Sequence, residues 1–542
     1  MEAGLGYSLE KFFTDSPVPK RNTLKLSGLR GETLSFQLAY RSSDWHFVGI
    51  HVAGPLAETV AVRRIDLAAV EHGTYAEDGS KRIGRTPGYY PDPLVPSPEY
   101  RAYPGQTRGV WFTLPIPKDA PAGRSRLTVR LTRDKDLVAK MTVDVTVIGA
   151  ALPRQTLDVG HWFHQDCLQS HYGFTTWSRD HWRLAETYLR NASAHGLTVV
   201  LTPLFTPPLD TAVGAERPTL QLVDVTVAGR DRYRFGFGKL ERWIDLGRTC
   251  GMTGFELSHL ATQWGAQFAP KIVARAGGET RRIFGWDTPS DSPAYRSFLL
   301  QFLPALTACL RRKRVHKRTF LHVSDEPQGV AHLPQYRAVR EILRQGAPDL
   351  PVLEAISNID YVDSGLVQHP CPGTDHVQPF LDRGTPRLWC YYCCAQTRGV
   401  SNRFMDFPAA RNRILGWQLF KYGFTGFLQW GFNHWYSGLT DQLLDPYTQV
   451  NGGRFLPPGD GFVVYPGPDG PVDSMRWEVF REGLQDGRAL ELLRNLTGEK
   501  PSPAAASLLA LRSIRSMADA SQSMTWILEH REAVNRAIMK RI

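Results

Sequence analysis

Short runs of β-branched and aromatic residues, partly alternating with polar ones, follow one another through the first 152 residues. Proline and glycine separate these runs, as in DAPAGR and PGYYPDPLVP. Runs of this length and period predict β-strands, and frequent turn residues between them are typical of a β-sandwich. We therefore predict an N-terminal β-sandwich domain over residues 1–152. The clearest predicted strands are LSFQLAYRS, GVWFTLPIP, SRLTVRL and KMTVDVTVIG.

From about residue 156 the pattern changes to short apolar runs that alternate with longer helical stretches. Eight such runs over roughly 280 residues predict a (β/α)8 barrel, which we assign to residues 153–436. Segment 204–237 is predicted to insert a β-hairpin. The predicted barrel strands are Leu157–Phe163, Leu197–Thr202, Gly254–Leu260, Thr319–Ser324, Val352–Ile356, a segment near Val377, Arg387–Tyr392 and Gly426–Trp430.

The last region, residues 437–542, begins with a stretch rich in proline and glycine over 437–474. This stretch predicts a long loop over the mouth of the barrel. Helical patterns return from residue 475 and predict a helical C-terminal region. The predicted helices are the amphipathic MRWEVFREGLQDGRALELLRNL, then SPAAASLLALRSIRSM and SQSMTWILEHREAVNRAI.

Composition excludes several classes of protein. Hydrophobic residues make up 42% and charged residues 22% of the 542 residues, so extensive disorder is not expected. No apolar run approaches the roughly 18 residues of a membrane-spanning helix, and the start MEAGLGYSLEKFF lacks the pattern of a secretory signal. We expect a cytoplasmic protein or a trimmed secreted chain, without membrane partners. Seven cysteines without a regular spacing do not predict a disulfide scaffold.

The net charge of +11 is concentrated in RRKRVHKR, residues 311–318, where six of eight residues are basic. Such a run is found in nucleic-acid patches and targeting signals, and also at solvated helix ends, where cations are favourable. The rest of the chain shows no basic stripe, and its aromatic residues do not alternate with basic ones as a stacking surface requires. We favour the helix end and predict no nucleic-acid partner.

In a (β/α)8 barrel the active site lies at the carboxyl ends of the strands, so the residues there are the first candidates. They include Asp166 after the first strand and prolines 203–208 after the second. Several tryptophans sit beside polar residues at these ends, which suits a sugar-binding cleft, although core packing is the usual role of tryptophan. The candidate substrate-binding residues are His164, His259, Gln263, Trp264, Tyr391, Tyr392, Trp430, Asn433 and Trp435.

The most informative segment is TFLHVSDEP, in which Asp325 and Glu326 end an apolar strand before a proline. Adjacent carboxyl groups are also common at strand-to-helix turns. In an aromatic cleft, however, such a pair can be split in pKa, with one group ionised and the other a proton donor. We predict that both are catalytic.

A retaining glycosidase with two carboxylates needs the second one about 5 Å from the first. Strand seven, where it often lies, ends in WCYYCC and has no carboxylate. Glu256 and Glu354 lie inside apolar strands and are expected to be buried and hydrogen-bonded. This favours a substrate that supplies its own nucleophile, such as a 2-acetamido group, with Asp325 holding the acetamido N–H and Glu326 protonating the leaving oxygen.

At this point the chain resembles glycoside hydrolase family 123 and the related domain of unknown function 4091. The resemblance rests on Asp325-Glu326 and on the order of the motifs FELSHLATQWG, GFLQWGFNHW and RWEVFREGLQDGRALELL, with GETLSFQLAYRS and PGYYPDPLVP in the β-domain. It implies a β-sandwich, a catalytic (β/α)8 barrel and a small C-terminal domain. It also implies exo-acting, retaining β-N-acetylgalactosaminidase activity through an oxazolinium intermediate.

Residue roles follow from the same resemblance. Asp325 would polarise the acetamido group, and Glu326 would be the general acid/base. Trp430 would form a floor for the sugar ring, and Tyr391 or Tyr392 would hydrogen-bond the acetamido oxygen. The substrate is then a small molecule or oligosaccharide that ends in a β-linked N-acetylhexosamine, most simply N-acetylgalactosamine, and no cofactor is required.

Two other functions compete with this hypothesis. A metal-dependent barrel hydrolase would use histidines such as His161, His164, His259 and His322. His161 and His164 are three residues apart, however, so on a strand they point to opposite faces, and we predict no metal. A non-catalytic carbohydrate-binding protein is the other alternative, which the intact Asp325-Glu326 pair opposes.

The cysteines give no separate chemistry. Cys390, Cys393 and Cys394, with the distant Cys371, superficially resemble a zinc site, but a second CxxC pair is missing. We interpret them as buried thiols, with Cys390 and Cys394 on a buried strand.

Overall fold

The computed structural model describes residues 1–75, 81–327, 329–498 and 502–542. The strands are β1 Glu2–Tyr7, β2 Thr23–Arg30, β3 Thr33–Arg41, β4 His46–Ala53, β5 Ala61–Val70, β6 Gly88–Val95, β7 Tyr100–Ala102, β8 Thr107–Pro115, β9 Gly123–Arg133, β10 Asp136–Ala151, β11 Asp158–His161, β12 Val199–Thr202, β13 Asp224–Gly229, β14 Arg232–Gly236, β15 Gly254–Leu257, β16 Ile272–Ala276, β17 Glu279–Phe284, β18 Thr319–Phe320, β19 Leu353–Ala355, β20 His369–Cys371, β21 Trp389–Tyr391, β22 Gly426–Gln429, β23 Val464–Pro466 and β24 Pro471–Asp473.

The α-helices are α1 Gln165–Tyr172, α2 Arg179–Ala194, α3 Gly238–Thr249, α4 Pro293–Arg312, α5 Leu333–Gly346, α6 Asp360–Asp363, α7 Gln378–Asp382, α8 Ala409–Tyr422, α9 Met475–Thr497, α10 Pro503–Ala510 and α11 Met524–Met539. Short 3-10 helices cover Ala57–Thr59, His316–Arg318, Val330–His332 and Gly438–Thr440. The molecule is a mixed α/β protein with several sheets. Within the described ranges, no helix is both long enough and apolar enough to cross a bilayer.

The N-terminal strands form two five-stranded sheets that share one apolar core. Their strand orders are β1-β3-β8-β5-β6 and β2-β10-β9-β4-β7. Inward side chains of both sheets meet in the core, for example Phe36 and Phe112 from the first and Val129 and Val143 from the second. Alternating buried and exposed positions along β9 and β10 explain why the sequence pattern identified these strands.

The central strands form a six-stranded parallel sheet with the order β18-β15-β12-β11-β22-β21. A separate parallel pair, β19 and β20, is linked to the two edge strands by single parallel bridges, Leu321 to Val352 and Gly373 to Tyr391. All these strands therefore point the same way, and their carboxyl ends lie on one side of the molecule.

The sixth predicted strand is misplaced. The segment near Val377 precedes α7, and the strand lies earlier, at His369–Cys371. This strand has three residues, too few to produce a recognisable hydrophobic period.

Two antiparallel hairpins extend from the parallel sheet. The predicted hairpin in 204–237 is confirmed as β13 and β14. A second hairpin, β16 and β17, joins it to form a four-stranded sheet and was not predicted. The mostly exposed strand β17 carries Arg281 and Arg282, so it lacks the apolar face that identifies a strand in a sequence.

Helix ends follow ordinary capping rules. The Ser178 and Ser474 side chains accept the backbone N–H groups of His181 and Trp477 at the starts of α2 and α9. Helix α8 ends at Gly423, whose φ of 66° is the left-handed conformation that glycine adopts without strain. These local signals made the helices predictable from the sequence.

The C-terminal helix α9 is buried along its first half on every side, whereas its sequence predicts an amphipathic surface helix. It crosses α8 closely, since a Cβ at Gly416 would lie 1.7 Å from the Gly483 carbonyl oxygen. Its charged face is neutralised by ion pairs. Glu478 contacts Arg63 of β5 at 2.6 Å, and Asp486 contacts Arg413 of α8 at 2.7 Å.

The basic stretch 311–318 begins in the last turn of α4, continues beyond it and is engaged in ion pairs. Arg311 pairs with Asp349, Arg312 with Glu241, and Lys313 with Asp245. This geometry supports its interpretation as a charged helix end.

Candidate active site

Asp325 and Glu326 lie beyond the carboxyl end of β18, in a turn with unusual backbone geometry. Glu326 has φ of 42° and the facing Trp264 has φ of 57°, both in the left-handed region that non-glycine residues rarely adopt. The Trp264 N–H donates to the Asp325 carbonyl oxygen at 2.8 Å and joins the two turns. Backbone strain of this kind is concentrated at functional sites.

The Glu326 carboxyl group is held by two aromatic residues. The Tyr391 hydroxyl, from the end of β21, donates to Glu326 Oε1 at 2.5 Å, and the Trp264 side chain also hydrogen-bonds this carboxyl group. Burial raises the pKa of Glu326, and the hydrogen bonds from Tyr391 and Trp264 oppose the rise. Glu326 is therefore suited to hold and release a proton.

The pKa of Asp325 is raised well above its ordinary value, first by burial and then by the neighbouring charges of Glu326 and Glu354. His322 acts in the opposite direction. Because two like charges so close are unfavourable, Asp325 and Glu326 titrate as a pair that retains a proton more readily than isolated carboxyl groups.

A buried polar network lies between the parallel strands near the pair. His322 contacts Glu256 Oε1 through Nε2 at 2.8 Å and Glu354 Oε1 through Nδ1 at 3.3 Å. Burial lowers the pKa of His322, but these hydrogen bonds and charges raise it to about 9. Trp162 Nε1 donates to Glu256 at 2.7 Å, and the Tyr336 hydroxyl donates to Glu354 at 2.8 Å. The expectation that Glu256 and Glu354 are buried and hydrogen-bonded is confirmed.

His259, His322 and Glu354 are close enough to be considered as metal ligands. One ligand atom from each lies within 4.8 Å of the others. Both ring nitrogens of His322 are already hydrogen-bonded to carboxylates, so an ion would have to displace one of these bonds. The His259 ring stacks on His322 at 4.4 Å with an interplanar angle of 28°. This arrangement fits a charged imidazolium between carboxylates better than a metal centre.

Trp430, at the end of β22, forms another wall of the cleft. Its Nε1 donates to Asp460 Oδ2 at 2.9 Å. Its carbonyl oxygen accepts a hydrogen bond from His164 Nε2 at 2.8 Å. The pKa of His164 falls to about 4, because of burial and then of the Arg217 charge, so its ring is neutral. Arg217 contacts His164 Nδ1 at 3.1 Å and forms an ion pair with Asp166. Asp166, a candidate from the sequence, is therefore occupied by this ion pair.

The structure brings Trp264 and Tyr391 to Glu326, but it places other candidates away from the carboxyl pair. Tyr392 follows Tyr391 on the strand and so points to the opposite face, where its ring packs on Phe427. Trp435 is buried, and its Nε1 donates to the Val464 carbonyl at 3.1 Å. Both are corrections to the predicted substrate-binding set, since neither side chain reaches the cleft.

Three further candidates are buried around the cleft. Asn433 bonds both the N–H and the carbonyl oxygen of His164, at 2.8 and 3.0 Å. Gln263 Nε2 donates to the Thr211 carbonyl at 3.0 Å. His259 is fully buried against His322, and burial lowers its pKa well below the ordinary value. In this structure Asn433 and Gln263 fix the backbone of neighbouring loops.

A family comparison decides the class of protein. The family described as "Glycoside hydrolase 123, catalytic domain" matches residues 162–493. The chain belongs to glycoside hydrolase family 123. The matched range contains Asp325, Glu326 and every other candidate residue of the cleft.

A solved structure of the same family shares the fold of this chain. A family 123 glycoside hydrolase from Clostridium perfringens, described in a structural analysis of glycolipid glycan hydrolysis, superposes with a TM-score of 0.77 at 14% identity, covering 99% of this chain and 97% of that chain. A family 39 glycoside hydrolase from Bacteroides cellulosilyticus gives a TM-score of 0.35 at 11% identity, covering 88% of this chain and 82% of that chain. A search of the curated proteins gave no match.

Several cleft residues of this family 123 glycoside hydrolase escaped the sequence analysis. Asp460 belongs to segment 437–474, which predicted only a loop, yet it holds Trp430. Asp210 lies eight residues past β12, and His434 lies inside GFLQWGFNHW beside the residues that were singled out. Cys393 and Cys394, both predicted to be buried thiols, lie beyond β21 and are partly exposed, whereas Cys371 and Cys390 are buried as predicted. Loop contacts between distant segments leave no periodic signal in a sequence.

The Trp430 ring is fixed by its indole N–H, which donates to Asp460. Burial raises the pKa of Asp460 to about 6, opposed by the Arg403 charge and by the hydrogen bond from Trp430. Because Asp460 bonds the indole, it serves to position the ring.

Proposed function

We propose that the protein is an exo-acting, retaining glycosidase that releases terminal β-linked N-acetylgalactosamine by substrate-assisted catalysis. The observation that carries the proposal is the state of the other carboxyl groups near Asp325 and Glu326. Glu256 and Glu354 are locked in hydrogen bonds to His322, Asp460 bonds the Trp430 indole, and β21 carries no carboxylate. None of these three carboxyl groups is free to act as an enzymic nucleophile, which favours a nucleophile supplied by the substrate.

In the first step the 2-acetamido oxygen attacks the anomeric carbon while Glu326 gives its proton to the leaving oxygen. The Asp325 carboxylate accepts a hydrogen bond from the acetamido N–H and stabilises the positive oxazolinium ring. This hydrogen bond favours the ionised form of Asp325, so the proton shared by the pair moves to Glu326. In the second step Glu326 takes a proton from water as the water oxygen bonds to the anomeric carbon. The bond between this carbon and the acetamido oxygen breaks, which reopens the ring and restores the original anomeric configuration.

An intramolecular nucleophile removes the cost of bringing two reactants together. For a well-oriented pair this contributes up to about 7–11 kcal/mol. Tyr391, which contacts Glu326, is also within reach of an acetamido group bound at Asp325, in keeping with the expectation that a tyrosine at this strand end binds the acetamido oxygen.

The architecture supports the proposed barrel fold and the proposed exo action. The two parallel bridges that link β19 and β20 to the edge strands are what a closed (β/α)8 barrel requires, and we assign that fold. Segment 437–474 covers one side of the cleft through the Asp460–Trp430 contact, which favours a blind pocket for a terminal sugar. The Clostridium perfringens relative is described as acting on glycolipid glycans, which supports a glycan as the substrate.

A panel of p-nitrophenyl glycosides tests the proposal. We expect turnover of the β-N-acetylgalactosaminide, none of the α-anomer, and near inertness of the β-galactoside, which lacks the acetamido group. Proton NMR of the first product formed should show the β-anomer. A thiazoline that mimics the cyclised intermediate should inhibit far more strongly than free N-acetylgalactosamine. Equal turnover of galactoside and N-acetylgalactosaminide, or an α-anomer as the first product, would contradict the proposal.

A further inference from the structure

Two polar side chains with no assigned role meet beside Trp430. Asp210 follows β12 and His434 follows β22, and these strands flank β11 on either side in the parallel sheet. Their loops therefore converge over the carboxyl end of β11. His434 Nε2 lies 3.5 Å from Asp210 Oδ2.

Neither group is satisfied by the protein. Both ring nitrogens of His434 and Oδ2 of Asp210 are buried without a hydrogen-bond partner among the described residues, and the His434 side chain is 0% exposed. The other oxygen, Asp210 Oδ1, accepts the Leu439 N–H at 3.2 Å. Buried polar atoms without partners are rare and unfavourable, so a set of them in a cleft indicates a missing ligand.

The backbone here is also strained. Asp210 has φ of 43°, a conformation that a residue with a side chain rarely adopts. The next residue, Thr211, is fixed because its carbonyl oxygen accepts the hydrogen bond from Gln263, and Gln263 Oε1 is another buried atom without a partner. The loop is thus held in a shape that places an unpaired carboxylate oxygen beside the His434 ring.

The pair is next to the sugar floor. The His434 ring lies 4.9 Å from the Trp430 ring. The Asp210 charge is close enough to Asp325 and Asp460 to contribute to raising the pKa values of both. In the proposed complex, a pyranose packs on Trp430 with its C1 at Glu326 and its C2 at Asp325. Its C4 then lies on the opposite side of the sugar ring from C1.

The two groups are complementary to a hydroxyl. The pKa of His434 is lowered well below its ordinary value by burial and by the charges of His164 and Arg217, so the imidazole is neutral and offers one donor and one acceptor. A carboxylate oxygen is an acceptor only. A sugar hydroxyl can therefore donate its proton to Asp210 Oδ2 and accept the N–H of His434.

Resting on the proposed function, we propose that Asp210 and His434 bind the 4-hydroxyl of the terminal sugar and thereby distinguish N-acetylgalactosamine from N-acetylglucosamine. These two sugars differ only in whether that hydroxyl is axial or equatorial. A substrate without this hydroxyl leaves Asp210 and His434 buried and unpaired. Unpaired polar groups of this kind give enzymes their strongest discrimination against a substrate that lacks the hydroxyl.

The test combines variants with substrate analogues. kcat/KM is measured for p-nitrophenyl β-N-acetylgalactosaminide, its 4-deoxy analogue and the β-N-acetylglucosaminide. The enzymes are the parent, Asp210→Asn, His434→Gln and the control Asp441→Asn. Asp441 is exposed, and its charge also acts on Asp210. Asp441→Asn therefore removes a nearby carboxylate in the same way as Asp210→Asn, but outside the proposed contact with the sugar.

For the parent enzyme we expect roughly 10- to 100-fold lower kcat/KM with the 4-deoxy substrate and with the glucosaminide, since a hydrogen bond to a charged group is worth that much. Asp210→Asn and His434→Gln should lower kcat/KM for the galactosaminide by a similar factor and leave the 4-deoxy substrate almost unaffected. Asp441→Asn should keep the parent ratio of the two substrates. Thermal melting confirms that each variant is folded, and the partly exposed Asp210 side chain makes Asp210→Asn a mild change.

Two results would overturn the inference while leaving the proposed function intact. One is a parent enzyme that accepts the 4-deoxy substrate as well as the full substrate. The other is an equal loss on both substrates in Asp210→Asn, which would indicate a structural role for this residue. Inertness of the parent toward every β-N-acetylhexosaminide would instead reject the proposed function itself, and this inference with it.

Discussion

At the scale of single residues, the chemistry that we propose depends on how Asp325 and Glu326 divide one proton. Burial raises the pKa values of both, and the charge of Glu326 raises the pKa of Asp325 further. Tyr391 and Trp264 donate hydrogen bonds to Glu326. The role of this carboxyl group therefore depends on its neighbours and not on its residue type alone. The sequence shows the pair, but it does not show these neighbours.

Removal of the acid tests the role of Glu326. Glu326→Gln should lower kcat/KM for ordinary glycosides by several orders of magnitude, because the leaving oxygen is no longer protonated. The loss should shrink with leaving groups of low pKa, which depart without a proton. The measurement is kcat/KM for a series of aryl N-acetylgalactosaminides, and an equal loss for all of them would contradict the assignment.

The Tyr391 hydrogen bond gives a prediction on pH dependence. The hydroxyl donates to the Glu326 carboxylate, stabilises its charged form and so lowers its pKa. In Tyr391→Phe the pKa of Glu326 should rise, and the acid should stay protonated to higher pH. The basic limb of the kcat/KM profile should then move upward by about one to two pH units, since the bond to a charged group is worth about 1.5–3 kcal/mol.

Tyr392→Phe is the matched control for this experiment. It removes the same hydroxyl one residue later, from a side chain on the opposite face of the strand whose oxygen has no hydrogen-bond partner among the described residues. Its pH profile should match that of the parent. An unchanged profile in Tyr391→Phe, or the same shift in both variants, would contradict the Glu326 contact.

At the scale of elements, the cleft is built by the ends of strands and the loops that join them. Hydrophobic runs predicted most of these strands, because a parallel strand buried on both faces is continuously apolar. The alternation of faces could also have separated Tyr391 from Tyr392. The three-residue strand β20 could not be located from its pattern, and the contact between Asp460 and Trp430 joins segments 30 residues apart without any local signal.

Asn433 provides the test at this scale. It bonds both backbone groups of His164 and so joins the loop after β22 to the end of β11. Asn433→Ala should leave a buried N–H and a buried carbonyl unpaired and lower the free energy of unfolding by about 2–5 kcal/mol. Urea denaturation measures this loss, with Asn22→Ala at an exposed position as the control. A loss no larger than that of the control would show that the bonds are replaced.

At the scale of the whole molecule, helix α9 connects three parts of the chain. Glu478 pairs with Arg63 of the sandwich, and Asp486 bonds Arg413 of α8 and lies 3.0 Å from Arg531 of α11. Burial alone would raise the pKa of Glu478, but the charges of Arg481 and Arg63 bring it well below the ordinary value.

The order of the predicted domains follows from composition and periodicity. Charged helix faces look solvent-exposed in a sequence, so this buried ion-pair junction could not be predicted.

The buried network around His322 gives a prediction for the intact enzyme. Its hydrogen bonds occupy both ring nitrogens, so activity should not depend on a divalent ion. We expect full kcat/KM after exhaustive dialysis against a chelator, measured beside an untreated sample. A loss that added zinc or another divalent ion restores would favour the metal-dependent hydrolase instead.

The most direct test of substrate assistance is whole-protein mass spectrometry after incubation with a 2-deoxy-2-fluoro-β-galactoside that carries a good leaving group. This reagent traps a covalent sugar on glycosidases that use a carboxylate nucleophile, and one such enzyme serves as the positive control. Because this enzyme is proposed to rely on the 2-acetamido group, which the reagent lacks, we predict an unchanged protein mass. A glycosyl adduct on Asp325, Glu256 or any other carboxylate would contradict the account and establish an enzymic nucleophile.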